Sequence, residues 1–498
     1  MNEKINKKTT VLFSVPGFGL STAWQGNAIA AASPVNFIDL WKDYKHVVLT
    51  SPYRENQDFS SWSSIVPYLM MSTGKPAITN KVLVDKAISH SLLEKSDMLK
   101  HYFQKIKKHN ASLHLIGNIS KNAENGDLEH LLRIVKIARK NFVSNILIHV
   151  IIDDTYPNIN LLKNKLDLLE TSLQEIGLGE IATVSGQKAL LSAKDKLLPI
   201  KLFFESKAQR YLTVAQGLSK NKKLAPSSVE PFIVSTNRIA ITDFDGIFFF
   251  NHISDDISDL LLYFLTDLKI VSFSGKPHFL NLISLFDFPT LYSEYIPAIF
   301  KRDLGQTIAG RLGNLGKKHL LICASDRKTI LSHYYGAGSD GFEVQAVRDS
   351  LDSSEDHNAL INEYYKVLKT AIDSDKYDLI TLDLRVLANI AKNSFFDQVK
   401  AVVAGTDEML GKISKLQFER NLDIIFISPY GMAEKIKTFS TYEKDQELLP
   451  SANPVPLIHI SRETKQGSKS FDLIVDEIAS TKQDLTLVYQ ILAQSLGL

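Results

Sequence analysis

The stretch Thr10–Trp41, which sets the fold class, reads TVLFSVPGFGLSTAWQGNAIAAASPVNFIDLW. Its apolar run Val11–Val15 is typical of a buried strand, Pro16–Gly19 is a tight turn, and Asn27–Ala32 has helical character. A strand that passes through a glycine-rich turn into a helix is the building unit of α/β proteins. In α/β enzymes this turn is a usual place for a catalytic carboxylate. Here it offers Pro16, which can neither donate a proton nor bind a metal.

The same alternation of short apolar runs and helical stretches continues through most of the chain. It predicts an α/β protein with a mostly parallel sheet. The predicted strands are TVLFSV, ASLHLIG from Ala111, NILIHVII from Asn145, KHLLICA from Lys318, YDLITLDL from Tyr377 and LDIIFIS from Leu422. The predicted helices include DLEHLLRIVKIARKNF from Asp127 and QVKAVVAGTDEMLGKISKL from Gln398, and the most loop-like segment is Ala215–Ser228.

The composition is that of an ordinary globular chain with more than one domain. The chain has 498 residues, too many for one hydrophobic core, of which 44% are hydrophobic and 22% charged. A net charge of +2 gives no general attraction to nucleic acid or to an anionic membrane, and no apolar run is long enough to span a bilayer. The single cysteine, Cys323, is predicted to be a buried thiol and fits a reducing compartment. We therefore expect a cytoplasmic protein that binds neither nucleic acid nor membrane.

Five segments are informative through their order and spacing. They are GNAIAAASPVNFIDLW from Gly26, SLHLIGNIS from Ser112, IATVSG from Ile181, GTDEMLGKI from Gly405 and NPVPLI from Asn453. Together they resemble cofactor-independent (2,3-bisphosphoglycerate-independent) phosphoglycerate mutase of the alkaline phosphatase superfamily. The resemblance implies an alkaline-phosphatase-like domain, residues 1–78 and 305–498, split in sequence by an inserted α/β phosphotransferase-like domain, residues 79–304. It also implies a monomer that converts 3-phosphoglycerate to 2-phosphoglycerate in glycolysis.

In the resembling family, aspartates, histidines and a serine that attacks phosphate hold two manganese ions. Paired cations neutralise the charge of a transferring phosphoryl group. In this sequence the corresponding metal positions carry side chains that do not suit a divalent cation: Pro16, Ala388, Lys392, Pro429, Tyr430 and a position near Pro450. Only the serine survives, at Ser64 or, less well aligned, at Ser63.

A local histidine site elsewhere is not expected, because no two of the 13 histidines lie two to four residues apart. We therefore predict that the chain uses no cofactor, and that manganese binds only if these ligands are misassigned.

The positions that the resemblance assigns to substrate are altered as well. The replacements are Asn125 for a catalytic histidine, Thr155 and Tyr156 for an arginine–aspartate pair, and Gln187, Ile253 and Asp256 for arginines. The candidate substrate-binding positions that remain are Asn125, Asp153, Lys194, Asp255 and Arg327. Lys194 and Arg327 are the only cations among them, so few positive charges remain at a site that binds two anionic groups in the resembling family.

Other motifs have plainer interpretations. GAGSDG, at Gly336–Gly341, matches the letters of a dinucleotide fingerprint, but no helix start follows it, so we expect a surface loop. Asp243 and Asp245 share one face of a strand end and are expected to be turn acids rather than metal ligands. Ser64 has no identifiable base to activate it, which favours a retained structural serine.

The sequence leads to three hypotheses. The first is a pseudoenzyme, a non-catalytic binding or assembly protein with an unknown protein partner, in which Ser64 is a vestigial catalytic position. The second is an active manganese-dependent mutase, an intramolecular phosphotransferase, whose ligands the alignment has misplaced. The third is a metal-free binder of a phosphorylated metabolite that uses Lys194, Arg327 and Lys392. We take the first as the working prediction.

Overall fold

The described part of the chain divides into two compact units. The computed structural model describes residues 8–53, 66–76, 80–121, 123, 125–153, 155–156, 158–191, 197–235, 239–252, 257, 259–265, 277–288, 295–301, 307–336, 338–348, 356–393, 396–436, 450–465 and 483–498. The first unit combines elements up to residue 76 with elements from residue 307 onward, and the second lies between residues 80 and 301. Residues 78, 79, 304 and 305, at the predicted boundaries, lie outside the described part, so those boundaries stay predictions. No helix among the described residues is long and apolar enough to cross a membrane.

Short strands alternate with helices in both units. The strands are β1 (Thr9–Ser14), β2 (Lys45–Leu49), β3 (Leu113–Asn118), β4 (Ile146–Ile152), β5 (Glu180–Gly186), β6 (Gln209–Arg210), β7 (Phe232–Ile233), β8 (Gly246–Phe249), β9 (Asn281–Phe286), β10 (Ala298–Phe300), β11 (His319–Ala324), β12 (Phe342–Val347), β13 (Leu379–Asp383), β14 (Leu422–Ile427) and β15 (Val455–Ile460). The α-helices are Ala28–Ala32, Val35–Asp43, Val66–Thr73, Asn80–Ser89, Leu92–Lys95, Asp97–Lys108, Leu128–Lys140, Ile159–Ile176, Gln187–Leu191, Leu198–Phe203, Val214–Lys220, Leu261–Phe264, Ile308–Asn314, Lys328–Tyr335, His357–Asp373, Val386–Asn393, Phe396–Glu419 and Thr486–Leu496. The predicted α/β class is confirmed.

The first unit is built on a seven-stranded sheet in the order β12-β11-β13-β1-β14-β15-β2. Neighbouring strands from β12 to β14 are parallel, and β15 pairs antiparallel with both β14 and β2. Every residue of β1, β11, β13 and β14 is buried, as is usual for parallel strands that are covered on both faces. The carboxyl ends of these four strands therefore meet at one edge of the sheet, which is where open α/β sheets bind ligands.

The turn after β1 is fixed by backbone constraints. Gly17 has a φ of +96°, and a Cβ at this position would lie 3.2 Å from the backbone of Ala388. The Gly17 amide also donates to the carbonyl oxygen of Tyr430 at 2.8 Å. The helix Ala28–Ala32 then begins after Asn27, whose side chain caps its first turn. The predicted succession of strand, turn and helix is confirmed.

The second unit is built on an eight-stranded sheet in the order β10-β9-β8-β3-β4-β5-β7-β6. Neighbouring strands from β10 to β5 are parallel, and β7 pairs antiparallel with β5. Alternate residues of β4 enter two different apolar clusters, with Ile148 and Val150 in one and Leu147 and Ile151 in the other. Both faces of this sheet are therefore covered.

The six predicted strands are confirmed, and the two predicted helices are found at Leu128–Lys140 and Phe396–Glu419. The prediction that Ala215–Ser228 is loop-like is wrong in part, because the helix Val214–Lys220 occupies its first half and a 3-10 helix, Pro226–Ser228, its end. The Thr213 side chain caps the longer helix, and Leu218 is buried in the core of the second unit. This tertiary contact outweighs the polar, lysine-rich sequence around it.

Candidate functional site

In the first unit, a buried tyrosine sits on the carboxyl edge of the sheet. The helix Val66–Thr73 places Tyr68 so that its hydroxyl donates to Oδ1 of Asp383, the last residue of β13, at 2.8 Å. Both side chains are fully buried. Burial and then the neighbouring Asp383 carboxylate raise the pKa of the Tyr68 hydroxyl well above its usual value. Tyr68 therefore stays protonated and acts as a hydrogen-bond donor to this carboxylate.

Two arginines and a second tyrosine complete this group. The Arg327 guanidinium carbon lies 5.6 Å from the centroid of the Tyr68 ring, a cation–π distance. Tyr430, which follows β14 and is buried, makes a side-chain hydrogen bond with Arg385. We call Tyr68, Arg327, Asp383, Arg385 and Tyr430 the tyrosine–arginine cluster. Among the described residues, the cluster combines two guanidinium groups with one carboxylate, and guanidinium groups suit an anion rather than a cation.

A buried glutamate holds the neighbouring loops. Oε2 of Glu434 accepts from the amide of Gly19 at 3.2 Å, and Oε1 accepts from Asn453 Nδ2 at 3.0 Å and from the Ser451 hydroxyl. A Cβ on Gly19 would lie 2.3 Å from the carboxyl carbon of Glu434, so a side chain at this position would displace the carboxylate. Burial raises the pKa of the Glu434 carboxyl, although these hydrogen bonds oppose the shift. Sequence reasoning missed Glu434, since its partners come from two loops that are far apart in the sequence, one at Gly19 and one at Ser451 and Asn453.

The structure brings together the positions where the family resemblance expects metal ligands. The turn at Pro16 packs on Ala388 through Gly17, whose amide bonds to the carbonyl of Tyr430. The Ser451 amide, next to Pro450, donates to the Gly431 carbonyl at 2.8 Å, which brings the position near Pro450 to the same loops. These loops therefore lie close together, and Pro16, Ala388 and Tyr430 present no carboxylate or imidazole there.

In the second unit, two predicted substrate positions come together at the carboxyl edge of the sheet. Asn125 Nδ2 donates to Oδ2 of Asp153 at 3.1 Å, and the Ser120 hydroxyl donates to the same oxygen at 2.5 Å. Oδ1 of Asp153 accepts from both the amide and the hydroxyl of Thr155, at 3.1 and 2.5 Å. Burial is the largest influence on the Asp153 carboxyl and raises its pKa, against these four hydrogen bonds. Asp153 is thus occupied by protein donors.

Three amide side chains line the adjacent strand ends. Asn251 Nδ2 donates to Asn118 Oδ1 at 2.7 Å, and Asn118 Nδ2 donates to Gln187 Oε1 at 2.9 Å. This amide chain crosses the ends of β8, β3 and β5 at the position where the resemblance expects an arginine. Neutral amides pair with one another and bring no charge for an anionic substrate. Sequence reasoning singled out Gln187 but missed its two partners.

The other predicted positions have simpler outcomes. Ser63, Ser64, Lys194, Ile253, Asp255 and Asp256 lie outside the described residues, and Arg327 belongs to the tyrosine–arginine cluster. Asp243 and Asp245 are turn acids, as predicted, since both accept backbone amide hydrogen bonds. Cys323 is buried, as predicted. A strand rather than a helix follows Gly336–Gly341, so this segment lacks the helix start that a dinucleotide fingerprint needs.

Comparison with known proteins finds relatives that share one name. Residues 84–289 match the family described as BPG-independent PGAM N-terminus. The chain is 23% identical to 2,3-bisphosphoglycerate-independent phosphoglycerate mutase of Clostridium botulinum, covering 94% of this chain and 96% of the relative. The Clostridium tetani enzyme of the same name is 22% identical over 96% of each chain. The chain is homologous to the 2,3-bisphosphoglycerate-independent phosphoglycerate mutases.

The fold of this mutase homologue agrees with that relationship. A crystal structure of Leishmania mexicana phosphoglycerate mutase at low cobalt concentration matches it with a TM-score of 0.74, covering 100% of this chain and 96% of the other at 14% identity. The relatives are mutases by name, and the predicted resemblance of the whole chain to these proteins is confirmed.

The prediction that the chain uses no cofactor is wrong, because its homologues are mutases of a fold that has been crystallised with cobalt. The described residues of this chain do not fit such an ion. Among them, no group of three or more His, Cys, Asp or Glu side chains could hold a metal. A complete ligand set would have to draw on residues outside the described part, such as Ser64.

Proposed function

We propose that this mutase homologue does not interconvert phosphoglycerates and serves as a binding or assembly protein. Phosphoryl transfer through serine needs an activated hydroxyl and concentrated positive charge around the phosphoryl oxygens. The strand ends of the first unit carry proline, alanine and tyrosine at Pro16, Ala388 and Tyr430, and the amide chain of the second unit carries no charge. These replacements support a loss of transfer chemistry in both units.

The observation that carries the proposal is the hydrogen bond between Tyr68 and Asp383. Asp383 is a carboxylate at the end of a parallel strand, at the edge where open α/β sheets bind ligands. In this chain the Tyr68 hydroxyl binds its Oδ1, and both side chains are fully buried. The pKa of Tyr68 is raised well above its usual value, so this tyrosine cannot serve as a base near neutral pH.

The test is a coupled assay from 3-phosphoglycerate, run with manganese and separately with cobalt. The Clostridium botulinum relative is the positive control for the assay. We expect no turnover above background by this chain with either ion, whether or not the ion binds. Metal-dependent turnover that Ser64→Ala abolishes would refute the proposal and leave an active mutase.

A second candidate function is the binding of a phosphorylated metabolite. It is favoured by Arg327 and Arg385, because both guanidinium charges lie near the Tyr430 hydroxyl together with the carboxylate of Asp383. Lys392 lies on the helix Val386–Asn393, which begins next to Arg385. Calorimetry with 3-phosphoglycerate and with inorganic phosphate, on the same samples as the assay, separates the two candidates. Binding that Arg385→Gln removes, and that the exposed control Lys400→Gln retains, would favour the metabolite binder.

If neither ligand binds, the first candidate stands with a protein as its partner. The family resemblance implies a monomer, and we propose the same state for this chain. Sedimentation velocity of the purified chain measures it directly.

A further inference from the structure

The second unit carries an exposed aromatic surface at the amino edge of its sheet, opposite the edge that holds Asn125 and Asp153. His109, Phe142, Phe244 and Phe279 lie in the turns that precede β3, β4, β8 and β9, respectively. These four strands are neighbours in the sheet and run parallel. Phe142 is 72% exposed, Phe279 63% and Phe244 38%. We call these four residues the aromatic edge.

Three of the rings form a continuous stack. The His109 and Phe244 ring centroids are 4.2 Å apart with an interplanar angle of 3°, and those of Phe244 and Phe279 are 5.6 Å apart at 6°. The turns that carry the stack are tied together by the backbone. Oδ1 of Asp243 accepts from the amides of His278 and Phe279, and the Phe244 amide donates to the Phe279 carbonyl at 2.6 Å. The surface is therefore preorganised, which lowers the entropic cost of binding.

Two of these phenylalanines have a backbone conformation that disfavours them. Phe142 has a φ of +62° and Phe244 a φ of +70°. In this left-handed region a bulky side chain costs about 1–2 kcal/mol relative to glycine. Burial within the chain does little to offset this cost at Phe142, which is mostly exposed. Helix-end hydrogen bonds from the Phe142 amide to the Arg139 carbonyl, at 3.0 Å, and from the Val143 amide to the Ala138 carbonyl, at 3.1 Å, hold this conformation. They do not require a phenylalanine side chain there, and strain of this kind clusters at functional sites.

The charges around the aromatic edge define the partner. Lys105, Lys107 and Lys108 occupy the last turn of the helix Asp97–Lys108, and the Lys107 ammonium lies 4.4 Å from the centroid of the Phe142 ring. Exposed aromatic rings next to several lysines fit a polypeptide that brings apolar and acidic side chains together. We infer that the aromatic edge is a docking surface for an acidic, apolar-bearing segment of a partner protein.

Single-stranded nucleic acid, which also binds aromatic and basic surfaces, fits less well. Bases stack on open ring faces. In the aromatic edge Phe244 already stacks with both His109 and Phe279, and the Lys107 ammonium covers one face of Phe142. The chain as a whole has a net charge of only +2, which provides little of the electrostatic affinity that nucleic acids require.

This inference does not rest on the proposed function. The aromatic edge lies at the opposite end of the strands from the candidate substrate positions, and an active mutase could carry it equally well. Assaying each docking variant for turnover of 3-phosphoglycerate, as well as for docking, keeps the two questions separate.

The experiment measures fluorescence anisotropy of labelled probes titrated with the full chain. The probes are a synthetic peptide of leucine, glutamate and aspartate, a charge-reversed peptide with lysine at every acidic position, and an oligothymidylate of matched length. We expect the acidic peptide to bind best. Phe279→Ala and Lys107→Glu should each weaken it by roughly tenfold or more, as when a central interface contact is truncated. The control Leu212→Ala, at an apolar residue that is 78% exposed beside β6, should leave binding unchanged.

A second variant protects the test from a folding artefact. Phe142→Gly relieves the positive φ, so its melting temperature should equal or exceed that of the parent while its affinity for the acidic peptide falls. A lower melting temperature would show that the ring stabilises the fold and would overturn the strain argument. Three other results would overturn the docking proposal: equal binding of both peptides, tighter binding of the oligothymidylate, or self-association that Phe279→Ala abolishes.

Discussion

Replacing Tyr68 with phenylalanine removes one hydroxyl from the centre of the tyrosine–arginine cluster and leaves the ring in place. In the parent, that hydroxyl donates to Oδ1 of Asp383 at 2.8 Å, and both side chains are fully buried. Losing a hydrogen bond to a charged group costs about 1.5–3 kcal/mol. At roughly 2–4 °C per kcal/mol for a domain of this size, the melting temperature should fall by about 3–12 °C.

The matched control is Tyr335→Phe in the same unit. The Tyr335 ring is also fully buried, and its centroid lies 6.4 Å from that of Tyr68. In the described part of the chain, the Tyr335 hydroxyl has no hydrogen-bond partner. Its removal should therefore change the free energy of unfolding by no more than about 0.5 kcal/mol, or raise it slightly. Calorimetric melts of both variants at neutral pH provide the comparison. If both variants lose the same stability, or if Tyr68→Phe loses none, the Tyr68–Asp383 bond does not have the role assigned to it.

Two further predictions concern buried titratable groups. Burial lowers the pKa of His319 from 6.5 to about 3, so between these pH values the unfolded chain binds a proton that the native chain does not, and stability falls as the pH falls. At pH 5 the loss of stability from this group is about 2 kcal/mol relative to pH 7.5. His319→Gln should therefore flatten the dependence of the free energy of urea unfolding on pH between pH 7.5 and pH 5. An unchanged slope would contradict the linkage. Asp153→Asn replaces an acceptor that serves Ser120, Asn125 and Thr155 and should cost about 1–3 kcal/mol in urea unfolding. A neutral effect would mean that the amide satisfies the same donors by reorientation.

Much of the fold could be predicted from sequence because its signals are local. Runs such as TVLFSV and LDIIFIS are apolar throughout, and a parallel strand covered on both faces needs such a run wherever its neighbours lie. The helix Leu128–Lys140 was predictable for the same reason, since its apolar residues recur at helical spacing. The loop-like prediction for Ala215–Ser228 failed where a tertiary contact, the burial of Leu218, overrode local polarity.

The candidate sites were predictable only in part. The family resemblance located Pro16, Ala388 and Tyr430, and the structure brings these positions together. It could not indicate Tyr68 or Glu434, because no local pattern links a tyrosine to a carboxylate 315 residues away or a glutamate to two separate loops. Side-chain pairs of this kind depend on how the helices pack on the sheet.

The histidines show the same difference between what sequence spacing predicts and what tertiary contacts decide. The sequence determines that no two of them lie two to four residues apart, which removes the local metal motifs. The tertiary structure nevertheless joins His114 to His149 at 2.9 Å and His130 to His252 at 2.8 Å, because neighbouring strands and a covering helix bring distant residues into register. Apolar periodicity is a property of consecutive residues, so the sequence by itself determines strands, helices and the α/β class. Only the tertiary structure decides which polar groups meet at the strand ends and whether they leave room for a ligand. Both depend on packing between residues that are far apart in the sequence.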